Sequence, residues 1–208
     1  MSLEQEIKLR VKSEDKIDLA SLAWPLSITV GNIEVNHLIS TYYETDDLHL
    51  SRHGVGLRMR QSQGRWVQTV KTSGVVKAGL HQREEWEHEL DGPQWDLAML
   101  RQTPLARIID SPDIWSKLLP IFTTDFLRET IHLNLADGTQ VELAYDRGQV
   151  IASDEKTRIH EIELELLVGN TEQLNTLASL LKEQLPLSLS NISKAQMGYQ
   201  LVSSTKVQ

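Results

Sequence analysis

The 208-residue chain has no cysteine. Disulfides, thiolate metal sites and thiol nucleophiles are therefore excluded. Six prolines and eleven glycines are too few for a collagen-like or low-complexity chain. No apolar run approaches the roughly 18 residues that a membrane-spanning helix needs, so no membrane partner is expected. The N-terminus, Met1-Ser2-Leu3-Glu4-Gln5-Glu6, is too acidic for a signal peptide, and the expected location is cytoplasmic. There is no Gly-x-Ser-x-Gly elbow and no P-loop, which removes two common routes to hydrolysis and phosphate binding. Positive charge is in deficit: Lys and Arg number 21 against 29 Asp and Glu, a net charge of −8. That argues against a nucleic-acid binder. It leaves room for a small anionic ligand at a local basic cluster.

What the chain has in abundance is alternation of period two, the pattern of half-buried strands. It runs through Leu3–Val11, Glu34–Glu44, Val55–Gln61, Trp66–Lys71, Gly79–Leu90, Phe126–Leu135, Gln140–Asp146 and Arg158–Val168, with a shorter run at Ala195–Val202. Asp137-Gly138 predicts a hairpin turn. Helices are expected at Glu14–Leu22 after Ser13, from Pro93 to about Leu100, at Pro112–Leu119 between Ser111 and Pro120, and at Thr171–Leu185. In the last, Thr171 is the expected cap and Pro186 the stop. The expectation is an α+β chain on an antiparallel sheet, one domain over residues 1–208.

Side chains two apart on a strand share a face. Glu4, Glu6, Lys8 and Arg10 therefore share one, opposite Ile7, Leu9 and Val11. Arg58 and Arg60 oppose Leu57 and Met59; Lys71 stands with Thr69. His81, Arg83, Glu85, Glu87 and Glu89 line up, as do Glu142 and Asp146, and Glu161, Glu163 and Glu165. Charge on one strand is ordinarily a solvated face. Here like charges are grouped within strands, which is costly unless a counter-ion or ligand lies between them. The amphipathic helices also need apolar strand faces to cover. Both points predict a closed or nearly closed barrel with a charged lumen and helices outside. Carboxylates suit hard divalent cations such as Mg²⁺ or Mn²⁺, and Arg and Lys suit phosphate oxygens. Together they suit a metal-chelated polyphosphate. In the metal-free protein the crowded carboxylates are expected to repel one another, which raises the pKa of some of them. Among the seven histidines only His81 falls on a charged face. His132 and His160 are assigned to the opposite faces.

Glu4-Gln5-Glu6-Ile7-Lys8 resembles the ExExK signature of the CYTH domains, also called triphosphate tunnel metalloenzymes. The resemblance continues in order through Tyr42-Tyr43-Glu44-Thr45, Gly56-Leu57-Arg58-Met59-Arg60, Thr69-Val70-Lys71 and Gly79-Leu80-His81-Gln82-Arg83-Glu84-Glu85. It extends through Phe126-Leu127-Arg128-Glu129, Asp146-Arg147-Gly148, Glu161-Ile162-Glu163-Leu164-Glu165 and Ser193-Lys194-Ala195. It is nearest to the bacterial inorganic triphosphatase branch. Some members of that branch carry a helical CHAD domain afterwards, and nothing after Pro186 is long enough to fill that role. The resemblance implies an eight-stranded antiparallel tunnel that hydrolyses inorganic triphosphate to pyrophosphate and phosphate. It implies catalytic roles for Glu4, Glu6, Lys8, Glu163 and Glu165. Phosphates would be held by Lys8, Arg58, Arg60, Lys71, Arg83, Arg128 and Lys194. Mg²⁺ or Mn²⁺ would be held from among Glu4, Glu6, Glu85, Asp146, Glu161, Glu163 and Glu165. Adenylate cyclase, thiamine triphosphatase and a non-catalytic polyphosphate- or nucleotide-binding module remain as alternatives on this fold.

Overall fold

The computed structural model describes residues 1–205, so the last three residues of the expected 1–208 span lie outside the described residues. Eleven strands form one sheet: β1 Ser2–Val11, β2 Ile28–Val30, β3 Glu34–Glu44, β4 Val55–Ser62, β5 Arg65–Thr72, β6 Val75–Lys77, β7 Leu80–Leu90, β8 Leu119–Leu135, β9 Gln140–Ala152, β10 Glu155–Val168 and β11 Leu187–Leu189. Eight of them close a ring in the order β1, β10, β9, β8, β3, β4, β5, β7, with β7 returning to β1. Every neighbouring pair is antiparallel. The three short strands add to the ring at β8, β7 and β1.

The apolar faces point outward and are covered, as the alternation requires. Helix α5, Glu172–Gln184, lays Leu174, Leu177 and Leu181 on the outer faces of β1, β9 and β10, against Ile7, Leu143 and Ile162. Burying each such leucine is worth roughly 1.5–3 kcal/mol. Four one-turn helices, α1 His49–Arg52, α2 Leu97–Leu100, α3 Ala106–Ile109 and α4 Pro112–Trp115, cover Leu57 and Val70 elsewhere on the wall. Among the described residues no helix is long and apolar enough to cross a membrane.

Several expected elements differ. Residues 14–22 form only a three-residue turn at Leu19–Ser21, capped by Asp18 rather than Ser13. The helix after Pro93 starts later, with Asp96 accepting from Met99 N–H. Helix α4 stops at Trp115, and the Ser111 side chain makes no cap bond. Pro120 does not follow a helix; it sits in β8 where the register with β3 shifts between Tyr42 and Tyr43. A proline fits there because the irregular pairing needs no amide donor. The start of α5 is capped by Asn170, whose Oδ1 accepts from Glu172 N–H at 2.9 Å, and not by Thr171.

The largest difference is at the C-terminal end. Ala195–Val202 is not a strand but part of α6, Lys194–Thr205. Ser193 Oγ accepts from Gln196 N–H at 3.2 Å and Gln196 Oε1 accepts from Ser193 N–H at 2.8 Å. This reciprocal capping box, legible as Ser193-x-x-Gln196, outweighs the short alternation. Helix α6 packs Tyr199, Leu201 and Val202 against Leu38, Tyr42, Phe122, Phe126, Val150 and Ile159. Those strand residues have lumen parity. The lumen is therefore not charged throughout: α6 fills an apolar end of it.

Candidate functional site

The charged face of the barrel wall lines a cavity of about 590 Å³. Its walls include Glu4, Glu6 and Lys8 of β1, Arg58 and Arg60 of β4, Lys71 of β5, Arg83 and Glu85 of β7, Arg128 of β8, Glu163 and Glu165 of β10, and Lys194 of α6. Register explains how distant segments meet. Lys8 lies opposite Glu163 and Glu6 opposite Glu165 across β1 and β10; Glu4 lies opposite Arg83 across β1 and β7. Arg128 lies opposite Asp146.

Most of these charges are already neutralised by one another. Lys8 Nζ bonds Glu6 at 2.8 Å and also Glu163. Arg83 pairs with Glu4 and, at 3.0 Å, with Glu6. Lys71 bridges Glu4 at 2.7 Å and Glu85 at 2.9 Å. Arg58 reaches Glu87 at 3.0 Å. Arg128 grips Asp146 with two bonds of 2.8 and 2.7 Å and also touches Glu163. Pairing decides which of the crowded carboxylates titrate high: burial raises Glu85 and Glu161, whereas Glu4 and Glu163 are held down. Burial would raise Glu4, but Lys71 and Arg83 hold it below the usual carboxylate range. Glu163 is likewise held well down against burial by Lys194, Lys8 and Arg128.

The implied cation ligands fall into separate groups. Oxygens of Asp146, Glu161 and Glu163 converge within 4.8 Å of one another. The Lys194 ammonium stands among them, 2.6 Å from Asp146, 2.5 Å from Glu161 and 2.9 Å from Glu163. The chain supplies its own cation there. Glu85 faces Lys71 and Arg58. Glu4, Glu6 and Glu165 form the remaining set.

Two residues stand out because their charge is not matched. Arg60 donates from Nε to Ser40 Oγ at 3.1 Å, and among the described residues it joins no ion pair. Burial, then the neighbouring guanidiniums of Arg58 and Arg128, push it down to about 10. Glu165 has no hydrogen-bond or ion-pair partner among the described residues. Burial, then Glu4 and Glu6, push it up to about 8. An unmatched buried cation attracts an anion and an unmatched carboxylate attracts a cation. Glu165 beside Glu4 and Glu6 is an oxygen-rich donor set that fits a hard divalent ion.

The candidate residues of the sequence missed some of the lining. Glu87 accepts from Arg58 and, at 3.0 Å, from Thr69 Oγ1. Tyr42 stacks on Phe122 with ring centroids 4.4 Å apart. Despite burial, its phenol is held below the usual value by the adjacent Arg58. Both have the parity of the charged faces, which was the available signal. His81 is buried and donates from Nε2 to Ser190 O at 3.1 Å. His132 shares the parity of Arg128, against the expectation, and lies 3.5 Å from Glu142.

The chain is thus a closed antiparallel barrel, a tunnel whose walls carry paired acidic and basic side chains. The CYTH domain profile matches residues 2–199, and the chain belongs to that family. The inorganic triphosphatase of Haemophilus influenzae is 34% identical over 200 residues, 96% of this chain. The match is 55% of that relative, so the chain spans about half the length of the curated protein it matches. Among solved structures, an adenylyl cyclase candidate from Hippeastrum with a dominant triphosphatase activity superposes with a TM-score of 0.62 at 17% identity, covering 95% of both chains. A protein from Pyrococcus horikoshii superposes with a TM-score of 0.53 at 16% identity, covering 94% of this chain and 98% of the other. These two likenesses support the fold.

Proposed function

We propose that this chain is a divalent-metal-dependent hydrolase of inorganic triphosphate, releasing pyrophosphate and phosphate within the tunnel. The observation that carries the reading is the coexistence, in one cavity, of an unmatched guanidinium, Arg60, and an unmatched carboxylate, Glu165. A metal-chelated polyphosphate satisfies both at once. The 34% identity to an inorganic triphosphatase supports the same substrate.

In this reading Arg60, Arg58, Arg128 and Lys71 hold phosphate oxygens. Arg binds as a planar fork and Lys as a point charge. Lys8 and Lys194 keep the acidic wall of β10 neutral and aim it at the substrate. Glu4, Glu6 and Glu165 would hold the Mg²⁺ or Mn²⁺. When bound, such an ion neutralises phosphate oxygens and acidifies a coordinated water. Attack of water on a terminal phosphorus then needs positioning and charge stabilisation rather than a covalent nucleophile. Residues 1–208 act as one such unit, located in the cytoplasm and without nucleic-acid or membrane partners.

The test is phosphate release from triphosphate, ATP, thiamine triphosphate and pyrophosphate, each with Mg²⁺, Mn²⁺ or chelator. Triphosphate with metal should be turned over much faster than the rest, and chelator should abolish it. Preferred conversion of ATP to cyclic AMP would move the chain to the cyclase alternative.

A further inference from the structure

Lys194 reaches its three carboxylates from the first residue of α6, so its position depends on where that helix begins. The link Ser190–Ser193 between β11 and α6 is fastened at one junction. Ser190 N–H donates to Lys8 O at 2.9 Å, and Lys8 N–H donates to Gly79 O at 3.1 Å. Gly79 N–H donates to Asn191 Oδ1 at 2.9 Å. Ser190 O accepts from His81 Nε2 at 3.1 Å. Gly79 has φ +82°, and a Cβ on it would lie 2.7 Å from Leu189 Cδ2. Glycine therefore lets the residue before β7 lie close against the end of β11, where the link begins. His81 spends its Nε2 proton on this link and does not have it free for a ligand.

We propose that His81 and Asn191 are positioning residues. They clamp the Ser190–Ser193 link to the start of β7 and thereby set the Lys194 ammonium among Asp146, Glu161 and Glu163. The two bonds attach to consecutive residues of the link from the same strand start. Losing either leaves the other as a pivot, and the first turn of α6 gains freedom. Asn191 itself is exposed, so its replacement removes the clamp without opening the core.

The test uses the full chain with Asn191→Ala, Asn191→Asp, His81→Leu and His81→Gln. Hydrogen exchange of the α6 amides is the first readout. Loss of one such bond should speed exchange about tenfold in Asn191→Ala and His81→Leu. The conservative variants, which keep an acceptor or a donor, should return it towards wild type, while β8 and β9 amides stay unchanged. Unchanged α6 exchange, or acceleration spread evenly over the barrel, would overturn the proposal. The second readout rests on the triphosphatase reading and is a double-mutant cycle with Lys194→Ala. Asn191→Ala should lower phosphate release in the Lys194 background and add no further loss in the Lys194→Ala background. Additive losses would overturn the proposal. If wild type releases no phosphate, the functional reading fails, and the exchange arm still decides the clamp.

Discussion

Glu6 of β1 and Glu165 of β10 are register partners on the lumen side of the barrel, yet only Glu6 is neutralised. Lys8 and Arg83 bond it, whereas Glu165 faces Glu4 and Glu6 without a partner and is pushed up to about 8, by burial first. A divalent cation at this pair relieves the repulsion and stabilises the fold by mass action. Mg²⁺ or Mn²⁺ should raise the melting temperature. Glu165→Gln should lose most of that rise and nearly all turnover, while its metal-free form melts no lower than wild type. Glu6→Gln should also lose the metal response, but its metal-free form should melt lower, because it takes a partner from two cations. Thermal melts with and without metal check both. A full metal response in Glu165→Gln would remove that carboxylate from the cation site.

Arg60 and Arg128 should fail differently. Arg128 holds Asp146 through two bonds, so Arg128→Ala leaves buried carboxylates short of a partner. Breaking a buried pair this way costs about 3–5 kcal/mol. Arg60 has no acid partner to strand, and Arg60→Ala relieves its repulsion with Arg58 and Arg128. Its free-state stability should hold, while triphosphate binding weakens about ten- to a hundred-fold, the worth of a charge-assisted contact of roughly 1.5–3 kcal/mol. Met59→Ala is the parity control. Its side chain is buried on the far side of β4, so stability should fall by about 2–5 kcal/mol. Denaturant unfolding and a triphosphate titration separate the three.

The contrast between Arg60 and Arg128 marks how far the sequence could be read. Which residues face the lumen follows from a period of two, and Arg58, Arg60, Lys71, Glu163 and Glu165 could be placed in one cavity from that alone. Closure of the ring was also legible, because the apolar outer faces need helices to cover them and the charged inner faces do not. Pairing was not legible. Whether Lys194 meets a phosphate or Asp146 depends on register between strands and on where α6 begins, both of which are tertiary facts. Helix α6 reads as a strand in the sequence because the eight alternating residues Ala195–Val202 mask a four-residue capping box. Pro120 misled for a related reason: a bulge in pairing with β3 tolerates a proline that local rules place outside a strand.

Glu44 ends β3 with a fully buried carboxylate that accepts three backbone amides: Thr45 at 2.8 Å, Leu50 at 2.9 Å and Ser51 at 2.7 Å. It thereby holds α1 and the loop whose Ser51, Gly54 and Val55 line the cavity. Glu44→Ala leaves those amides without their acceptor and should destabilise the fold by about 3 kcal/mol, from bonds of roughly 1.5–3 kcal/mol each partly replaced by water. Glu44→Gln keeps one acceptor oxygen and should recover part of the loss. Steady-state kinetics with triphosphate should show a KM raised several-fold in Glu44→Gln with kcat changed less, since the loop shapes the cavity and bears none of its charged groups. A fall confined to kcat would mean that Glu44 acts on the chemistry rather than on the loop.

Outside the lumen, Tyr145 Oη accepts from Ile17 N–H at 3.0 Å and lies 2.8 Å from His160 Nε2. Burial disfavours the charged imidazole, so this joint between the Lys12–Ser27 connection and the barrel wall is strongest with His160 neutral. Burial first, then the charge of Arg158, keeps the His160 pKa below the ordinary 6.5. The unfolded chain then binds a proton near pH 6.5 that the folded chain refuses. The stabilising contribution is whole above that pH and is lost as pH falls through 6.5 towards the folded value. The melting-temperature gap between wild type and His160→Gln should therefore be widest at pH 8 and should narrow by pH 5. Taking the difference cancels the other titrating groups, including His81, whose pKa burial also lowers. A gap that stays constant from pH 8 to pH 5 would mean that His160 keeps the same protonation state folded and unfolded, and the joint would then owe its strength to packing alone.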